Sequence, residues 1–263
     1  MTGSGELDVE TALDVVSRRA AVIECLKDGP KYNRDVRDEL DVSRSTVYKA
    51  VSELESLELV RRGNDGHELT VPGRLLFEEY RKFRDRLEVV ARPSHVLAVL
   101  PADASVPYVL LDGAEVYSSD RHAPHRPVHE IERVVTEAAV VEGTGPVVLP
   151  SYVTLFAEQV VADELEAELV FERPAFDHLV SDYGDEYGEA FSSENLTLWT
   201  TDAELPYGLL VVTDPSPKVG VIVYDRGGEL KGFVLNDSAS AYEWGHAEWT
   251  RCRAAATRAQ PDE

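Results

Sequence analysis

Cysteine is scarce in this sequence, and it has no long apolar run. Only Cys25 and Cys252 occur among 263 residues, in segments expected to belong to different domains. A disulfide framework and a cysteine metal site are therefore not expected, and both thiols are predicted to be packed side chains. The most apolar stretch, residues 145–157, is shorter than the roughly 18 residues of a membrane span, and the amino end lacks the apolar segment of a signal peptide. We expect a cytoplasmic protein with no membrane partner.

Positive charge is also in short supply, and it is unevenly distributed. The chain has 26 Lys and Arg against 49 Asp and Glu, a formal net charge of -23. Residues 1–92 hold 16 of these basic residues and 19 of the acidic ones, which leaves 10 against 30 for residues 93–263. Dense carboxylates spread along a sequence keep proteins soluble in concentrated salt. We favour salt adaptation of the whole proteome over the alternative, a basic partner for the acidic region.

The first 71 residues show three helical segments followed by a hairpin pattern. Apolar residues fall at helical spacing from Val9 to Leu26, which predicts a first helix. Asn33 is placed to cap a second helix, and Ser43 is placed to cap a third that runs to about Leu57. Two β-prone runs around "GNDG" then predict a hairpin whose turn needs positive φ. This order predicts a winged helix-turn-helix domain at residues 1–71.

The third helix has a polar face typical of a DNA recognition helix. Val47, Val51 and Leu54 form its buried stripe, which leaves the opposite face outward. The amino-terminal residues of a recognition helix contact base edges, and its free N–H groups favour phosphate. A wing then approaches the minor groove or the backbone. The residues predicted to contact double-stranded DNA are Lys31, Arg34, Arg44, Ser45, Thr46, Tyr48, Lys49, Arg61 and Arg62.

Two other interpretations of this segment stay open. Three-helix units also serve in protein contacts, and exposed arginines on an acidic surface can be plain solvated charge. The alternative function is therefore an adaptor that does not bind DNA and docks on the transcription machinery.

A fourth helix is predicted from about Pro72 to Ala91. Along it Leu76, Tyr80, Phe83, Leu87 and Val90 repeat at spacings of four and three, as in a heptad seam. An apolar stripe outside a three-helix core needs a cover, either the second domain or the same helix of another subunit. We favour a homodimer through residues 73–91, and we treat residues 72–92 as a linker or dimerisation helix.

Residues 93–263 show the pattern of a mixed α/β sheet. The runs "HVLAVL", "YVLL" and "AEVYS" are predicted as strands, followed by a helix over about residues 127–139. The runs "PVVLP", "SYVTLFAEQVVADEL" and "AELVF" predict a strand, a crossover helix and a parallel strand. Four runs from "LTLWTT" to "ELKGFVL" predict an antiparallel meander, and "NDS" is placed to cap a last helix. The predicted fold class is α+β / α/β, with a C-terminal mixed α/β-sheet domain.

This second domain offers a few candidate ligand residues. Strand ends and the neighbouring loops are the usual rim of a pocket in such folds, and the candidates for a small-molecule effector there are His125, Arg126, Ser151, Tyr152 and Tyr207. The alternative is that residues 150–151 only begin a helix and residues 206–208 only form a turn. His122, His125 and His129 lie close in sequence, but neither an HExxH motif nor a nearby cysteine supports a metal, so we predict no metal and no cofactor.

Several motifs resemble those of known archaeal regulators. The segment "NRDVRDELDVSRSTVYKAVSELESLELVRR" resembles the winged-helix domains of archaeal regulators related to the ArsR and MarR groups. The segments "HRPVHEIERVV", "GPVVLPSYV", "TTDAELPYGLLVV" and "LNDSASAYEWGHAEW" resemble the middle domain of archaeal filament and methanogenesis regulatory proteins. The likeness covers roughly residues 12–255. The resemblance implies a transcription regulator with a C-terminal sensory or assembly domain. Together with the acidic composition, it indicates a halophilic archaeon as the source.

The same family domain is often compared with the phospholipase D superfamily, which raises the question of catalysis. That chemistry needs a His nucleophile and a Lys two residues later, and none of the seven His has this spacing. The motifs GxGxxG, GK[ST] and GxSxG do not occur in the sequence either. We therefore predict no enzyme and no catalytic residue, with a phospholipase D-type hydrolase as the least favoured alternative.

Overall fold

The computed structural model describes residues 7–259 and divides into two compact units, Met1–Glu88 and Val89–Glu263. The first unit contains α1 (Val9–Cys25), α2 (Asn33–Leu40), α3 (Arg44–Ser56), β1 (Val60–Gly63) and β2 (Gly66–Leu69). Helix α4 (Val71–Ala91) begins in the first unit and ends just beyond the boundary. The element order predicted for a winged helix-turn-helix is present.

The core of the first unit lies between the apolar faces of its helices. Ile23 of α1, Val47 and Leu54 of α3, and Leu59 before the hairpin have no exposed surface. Burying a side chain of this size stabilises a fold by about 1.5–3 kcal/mol. The predicted buried stripe of α3 therefore holds the helix against the core and fixes which face it presents outward.

A short turn joins α2 to α3. Asp41 ends α2 in the left-handed conformation, at φ 50° and ψ 48°. The hydroxyl of Ser43 accepts a hydrogen bond from the Thr46 backbone N–H at 3.1 Å, which confirms the predicted cap of α3. The predicted cap at Asn33 is wrong, because α2 begins at Asn33 itself and the carboxylate of Asp35 accepts the N–H of Tyr32, the residue in the cap position.

The predicted hairpin is confirmed, and its positive φ lies at one glycine. Gly66 has φ 121°, and a Cβ there would lie 2.4 Å from the carbonyl oxygen of Lys31. Lys31 exchanges two backbone hydrogen bonds with His67, at 3.0 and 2.8 Å. The close approach of this third chain segment explains why the position needs glycine.

The described part of the second unit is built on an eight-stranded mixed sheet. Its strands are β3 (Glu115–Ser118), β4 (Val140–Gly145), β5 (Glu166–Glu172), β6 (Leu196–Thr201), β7 (Gly208–Asp214), β8 (Lys218–Tyr224), β9 (Leu230–Asn236) and β10 (Thr257–Arg258). They pair in the order β10-β6-β5-β4-β7-β8-β9-β3. The three neighbours β6, β5 and β4 are parallel, and the other pairs are antiparallel.

Helices cover both faces of this sheet. They are α5 (Ser94–Leu97), α6 (Tyr108–Leu111), α7 (Arg126–Thr136), α8 (Pro150–Val161), α9 (Arg173–Phe191) and α10 (Ala239–Ala254). Helices α7, α8 and α9 pack on one face, around Val135 and Phe233, and α10 packs on the other, around Val219. The fold is therefore α+β / α/β with a mixed α/β sheet in its C-terminal part, as predicted.

Four predictions for individual elements of the second unit are wrong. The runs "HVLAVL" and "YVLL" give the short helices α5 and α6. The run "PVVLP" is a loop over residues 146–149, between the actual strand β4 and the first residue of α8, Pro150. Strand β6 pairs with β5 in parallel and takes no part in the antiparallel meander, which consists of β7, β8 and β9. Short apolar runs do not show by periodicity whether they form strands, and Pro146 and Pro150 flank the misassigned loop.

Both cysteines are free thiols, one in each unit. Cys25 is buried, and this burial raises the pKa of its thiol to about 11, with a smaller contribution from Glu39. Cys252 is half-buried, and burial also raises the pKa of its thiol. Both groups are therefore protonated at neutral pH. Within residues 7–259 there is no helix with the length and apolar content of a membrane span.

Candidate functional site

Helix α3 presents a polar face to solvent along most of its length. Arg44, Ser45, Tyr48 and Lys49 are exposed, and Tyr48 has 70% of its surface accessible. The first turn of α3 contains no acidic residue. The unbonded N–H groups and the positive end of the helix dipole therefore lie beside Arg44 and Ser45, and this end of the helix favours an anion.

The six cations predicted to contact DNA fall into two groups. Lys31, Arg34 and Arg61 are ion-paired within the unit, to Glu39 at 2.5 Å, Asp35 at 3.3 Å and Glu68 at 2.8 Å respectively. Arg44, Lys49 and Arg62 have no carboxylate within 4.0 Å among residues 7–259. Arg44 and Lys49 on α3 and Arg62 on β1 are therefore the predicted contact cations that no carboxylate within 4.0 Å pairs with in the described chain.

The acidic residues of α3 lie in its carboxyl half, and each is held by a basic neighbour. Glu53 accepts a hydrogen bond from Arg19 Nε at 2.8 Å, and this bond lowers the pKa of the Glu53 carboxyl. Glu55 lies 3.2 Å from Nδ1 of His67 on the hairpin. The carboxylates of the helix are therefore kept at the end opposite Arg44.

Hydroxyl groups cluster at the amino end of α3. The Ser43 hydroxyl lies 2.8 Å from both the Ser45 and the Thr46 hydroxyls. The Thr46 hydroxyl is therefore already engaged with the residue that caps α3. Sequence reasoning missed Ser52, which is exposed on the same helical face as Ser45 and Tyr48. The signal was available, because Ser52 lies seven residues after Ser45 and therefore two helical turns along the same face.

The apolar stripe of α4 changes its role along the helix. Leu76 and Tyr80 pack against the core of the first unit and are partly buried there. Phe83, Leu87 and Val90 are exposed to 49%, 51% and 45%. The first two positions of the predicted heptad seam therefore belong to the fold of the unit, and the last three form an exposed apolar stripe.

The five candidate ligand residues of the second unit do not form one site. Tyr152 lines an apolar cavity beneath α8, whereas Ser151 is exposed on the first turn of that helix. Tyr207 lines a different cavity, and its hydroxyl donates to the backbone carbonyl of Ser105 at 2.9 Å. His125 and Arg126 lie in a shallow open depression, where the Arg126 guanidinium stacks over the Tyr117 ring at 5.6 Å.

The neighbouring histidines also lie in that depression. His125 and His129 have ring centroids 6.4 Å apart, and His122 lines the same surface. In the described part of the chain, no group of three or more His, Cys, Asp or Glu side chains is arranged to hold a metal ion.

Comparison with known proteins identifies the family. The family described as the middle domain of the methanogenesis regulatory protein FilR1 matches residues 124–255, just over half of the chain. The chain belongs to this family. The matched region runs from the loop before α7 through α10, so it contains all of the parallel strands and the antiparallel meander. A second family, described as the HVO_A0261 N-terminal domain, matches residues 7–92, which include α1 to α4 and the whole exposed face of α3.

Three solved structures show weak likeness to this member of the FilR1 middle-domain family. The archaeal chromatin protein TrmBL2, whose structure is described as showing a novel mode of DNA binding, has a TM-score of 0.40 at 11% identity, over 96% of this chain and 100% of that one. The phospholipase D family member Nuc from Salmonella typhimurium has a TM-score of 0.40 at 11% identity, over 56% of this chain and 97% of that one. NucT from Helicobacter pylori has a TM-score of 0.43 at 5% identity, over 56% of this chain and 98% of that one. The curated proteins gave no match.

Proposed function

We propose that the protein is a sequence-specific, DNA-binding transcription regulator that acts as a homodimer. Membership of a family described as regulatory supports this proposal. The observation that carries it is the exposed face of α3, where Arg44 and Lys49 have no carboxylate partner among residues 7–259 although the whole chain has a net charge of -23. The attraction for DNA is then local, because the two carboxylates of α3 lie in its carboxyl half, away from Arg44.

The contacts divide into base readout and positioning. Arg44 stands at the amino end of α3, where a recognition helix meets base edges, and its guanidinium can pair with the two acceptors of a guanine. Lys49, one turn further on, is suited to a phosphate as a point charge. Arg62 on β1 is available for the DNA backbone. Lys31, Arg34 and Arg61 would contribute less, because contact with DNA must first disrupt their ion pairs.

Selection from genomic fragments tests the proposal. Purified protein is mixed with random genomic DNA in concentrated KCl, and the retained fragments are sequenced. A regulator enriches fragments that share a sequence motif. An adaptor that docks on the transcription machinery enriches none, and that result would contradict DNA readout and favour the alternative.

Dimerisation and sensing complete the proposed mechanism. Two copies joined through α4 would present two α3 helices to half-sites about 34 Å apart, one turn of DNA. The second unit would act as a ligand-sensing or assembly domain, because a ligand that binds one arrangement of the dimer more tightly shifts the population towards it. Catalysis is not part of the proposal, since the His and Lys spacing of phospholipase D chemistry does not occur in the sequence.

Replacing Arg62 should change the salt dependence of DNA binding more than replacing Arg61. Each phosphate contact contributes about 0.9 to the slope of log K against log salt concentration. Arg62→Ala should therefore reduce the magnitude of the slope by about 0.9, the contribution of one phosphate contact. Arg61→Ala should change the slope less, because the Arg61 guanidinium is held by Glu68 at 2.8 Å. Titrations of one selected DNA site at several KCl concentrations measure both slopes. Equal slopes for the two variants would show that the ion pair does not decide which arginine contacts DNA.

We also infer that the protein is adapted to concentrated salt, as in a halophilic archaeon. The net charge of -23 destabilises the compact state through self-repulsion, and 1 M salt reduces the screening length to about 3 Å. The unfolding temperature should therefore rise between 0.1 M and about 2 M KCl. Circular dichroism melts at a series of KCl concentrations measure this, and a melting temperature that falls or stays constant would exclude salt adaptation.

A further inference from the structure

An apolar cavity lies in the second unit between the sheet and helices α8 and α9. Its volume is about 100 Å³, and its walls include Val147 and Leu149 of the loop after β4, Phe156 of α8, Phe171 of β5 and Phe191 of α9. None of its lining residues, all within the described chain, carries a charged side chain. Such a wall excludes ions and does not attract water, so the cavity suits an uncharged apolar molecule.

Tyr152 and Tyr224 both line this wall, and Tyr152 has a fully buried hydroxyl without a hydrogen-bond partner within the described part of the chain. Burial, with a smaller contribution from Tyr224, raises the pKa of Tyr152, so the hydroxyl stays protonated and can donate. Thr144 in the same wall differs, because its hydroxyl already accepts the Leu209 backbone N–H at 3.2 Å. Leaving a buried hydroxyl unpaired costs about 1–3 kcal/mol, which a ligand with a matching group would recover.

The size of the cavity limits the ligand to about one ring. An apolar cavity of about 150 Å³ in another protein stays dry and binds benzene. The volume of about 100 Å³ here is of the same order, so one ring with a small substituent fits after slight expansion. A sugar or nucleotide would bring many polar groups into a wall that has almost none to pair with them.

Helix α9, which forms part of the wall, is weak near its carboxyl end. Gly184 and Gly188 lie inside the helix, and each glycine costs about 1 kcal/mol relative to alanine. A Cβ at Gly188 would meet open space, so packing does not require glycine there. The helix is kinked at Tyr187, whose hydroxyl lies 3.0 Å from the Thr154 hydroxyl of α8. Opening of this segment would widen the access of a ligand to the cavity, which is already partly open to solvent.

We propose that this cavity binds an uncharged, single-ring apolar molecule with one hydrogen-bonding group paired to the Tyr152 hydroxyl. The inference rests on the proposed sensing role of the second unit and specifies its ligand class. Phenol and toluene are suitable probes, because they match in size and differ mainly in the hydroxyl.

Calorimetric titration of the full chain without DNA tests the proposal. The ratio of phenol affinity to toluene affinity should be roughly fivefold higher for the parent protein than for Tyr152→Phe, the difference expected for one net hydrogen bond. Tyr152→Phe should bind toluene as the parent does and bind phenol more weakly. The matched control is Tyr242→Phe on α10, which packs on the other sheet face and should leave both affinities unchanged.

A second variant shows whether the cavity itself is the site. Ala157 of α8 lines the cavity and is 4% exposed, so Ala157→Leu should fill the space and abolish binding of both probes. The proposal is overturned if neither probe binds the parent, if Tyr152→Phe keeps the parent's ratio of phenol affinity to toluene affinity, or if a folded Ala157→Leu variant binds as the parent does. Because these titrations contain no DNA, their failure leaves the genomic-fragment selection unaffected, and the reverse also holds.

Discussion

Arg44→Ala should weaken binding to a selected DNA site by about 1–3 kcal/mol, which corresponds to roughly a 5- to 150-fold rise in the dissociation constant. The physical reason is the loss of the two hydrogen bonds that the Arg44 guanidinium would make with one base in the proposed contact. Arg44 is exposed at the amino end of α3, and no carboxylate among residues 7–259 lies within ion-pair distance of it. Equilibrium titrations of a labelled duplex in constant KCl measure the effect.

Two further variants separate base readout from charge. Arg44→Lys keeps the positive charge and loses the planar guanidinium. If Arg44 reads a base, this variant should bind DNA as weakly as Arg44→Ala. If Arg44 only contacts phosphate, the affinity of this variant should return towards that of the parent. Arg251→Ala is the matched control, because Arg251 is exposed on α10 beside Glu248 and lies outside both α3 and the proposed dimer helix. Equal binding by the parent and Arg44→Ala under matched salt would show that Arg44 does not read the site.

An acidic protein can bind a polyanion when its positive groups are free where contact occurs. In this chain the carboxylates of α3 are held by Arg19 and His67 at the helix end away from Arg44. In concentrated salt, the counterion contribution to DNA binding shrinks. Base-edge and shape contacts must then carry more of the affinity, which makes the few residues at the amino end of α3 more important.

The helical face of α3 could be predicted from the sequence, whereas the ion pairs around it could not. The period of 3.6 residues fixes Val47, Val51 and Leu54 on the buried side and thereby places Arg44 and Lys49 outside. The ion-pair partners depend on the fold. Glu39 reaches Lys31 from the far end of α2, and Glu68 lies opposite Arg61 only because of the hairpin register. A count of charges along the chain therefore overstates how many cations are available to DNA.

The second unit was harder to predict because its segments are short and apolar. The strand–helix–strand unit β4-α8-β5 was recognised as parallel, but its first strand was placed several residues too late, at "PVVLP". Val147 and Leu149 in that segment are apolar because they line the cavity, and they do not pair with a neighbouring strand. A run of apolar residues can serve either purpose, and only the three-dimensional arrangement distinguishes a sheet from the wall of a cavity.

Leu87→Glu should separate the proposed dimer into monomers. Phe83, Leu87 and Val90 continue the four-and-three spacing of the seam beyond the part of α4 that packs on its own unit, and Leu87 is 51% exposed. A carboxylate at this position would be buried in the dimer seam without a partner, next to its copy from the other subunit. Such a charge costs about 3–5 kcal/mol, so the dimer dissociation constant should rise at least about 100-fold.

Light scattering of the purified chain in concentrated KCl measures this change as a fall in molecular mass. Leu13→Glu is the matched control, because Leu13 is an apolar residue on α1 with a similar exposure of 45% and lies outside the seam. Loss of the dimer should also weaken binding to a site with two half-sites, because each α3 helix would then bind on its own. If both the parent and the Leu87→Glu variant are dimers, the dimer seam lies in the second unit. In that case the spacing of the two α3 helices would be set by the sheet domain and not by α4.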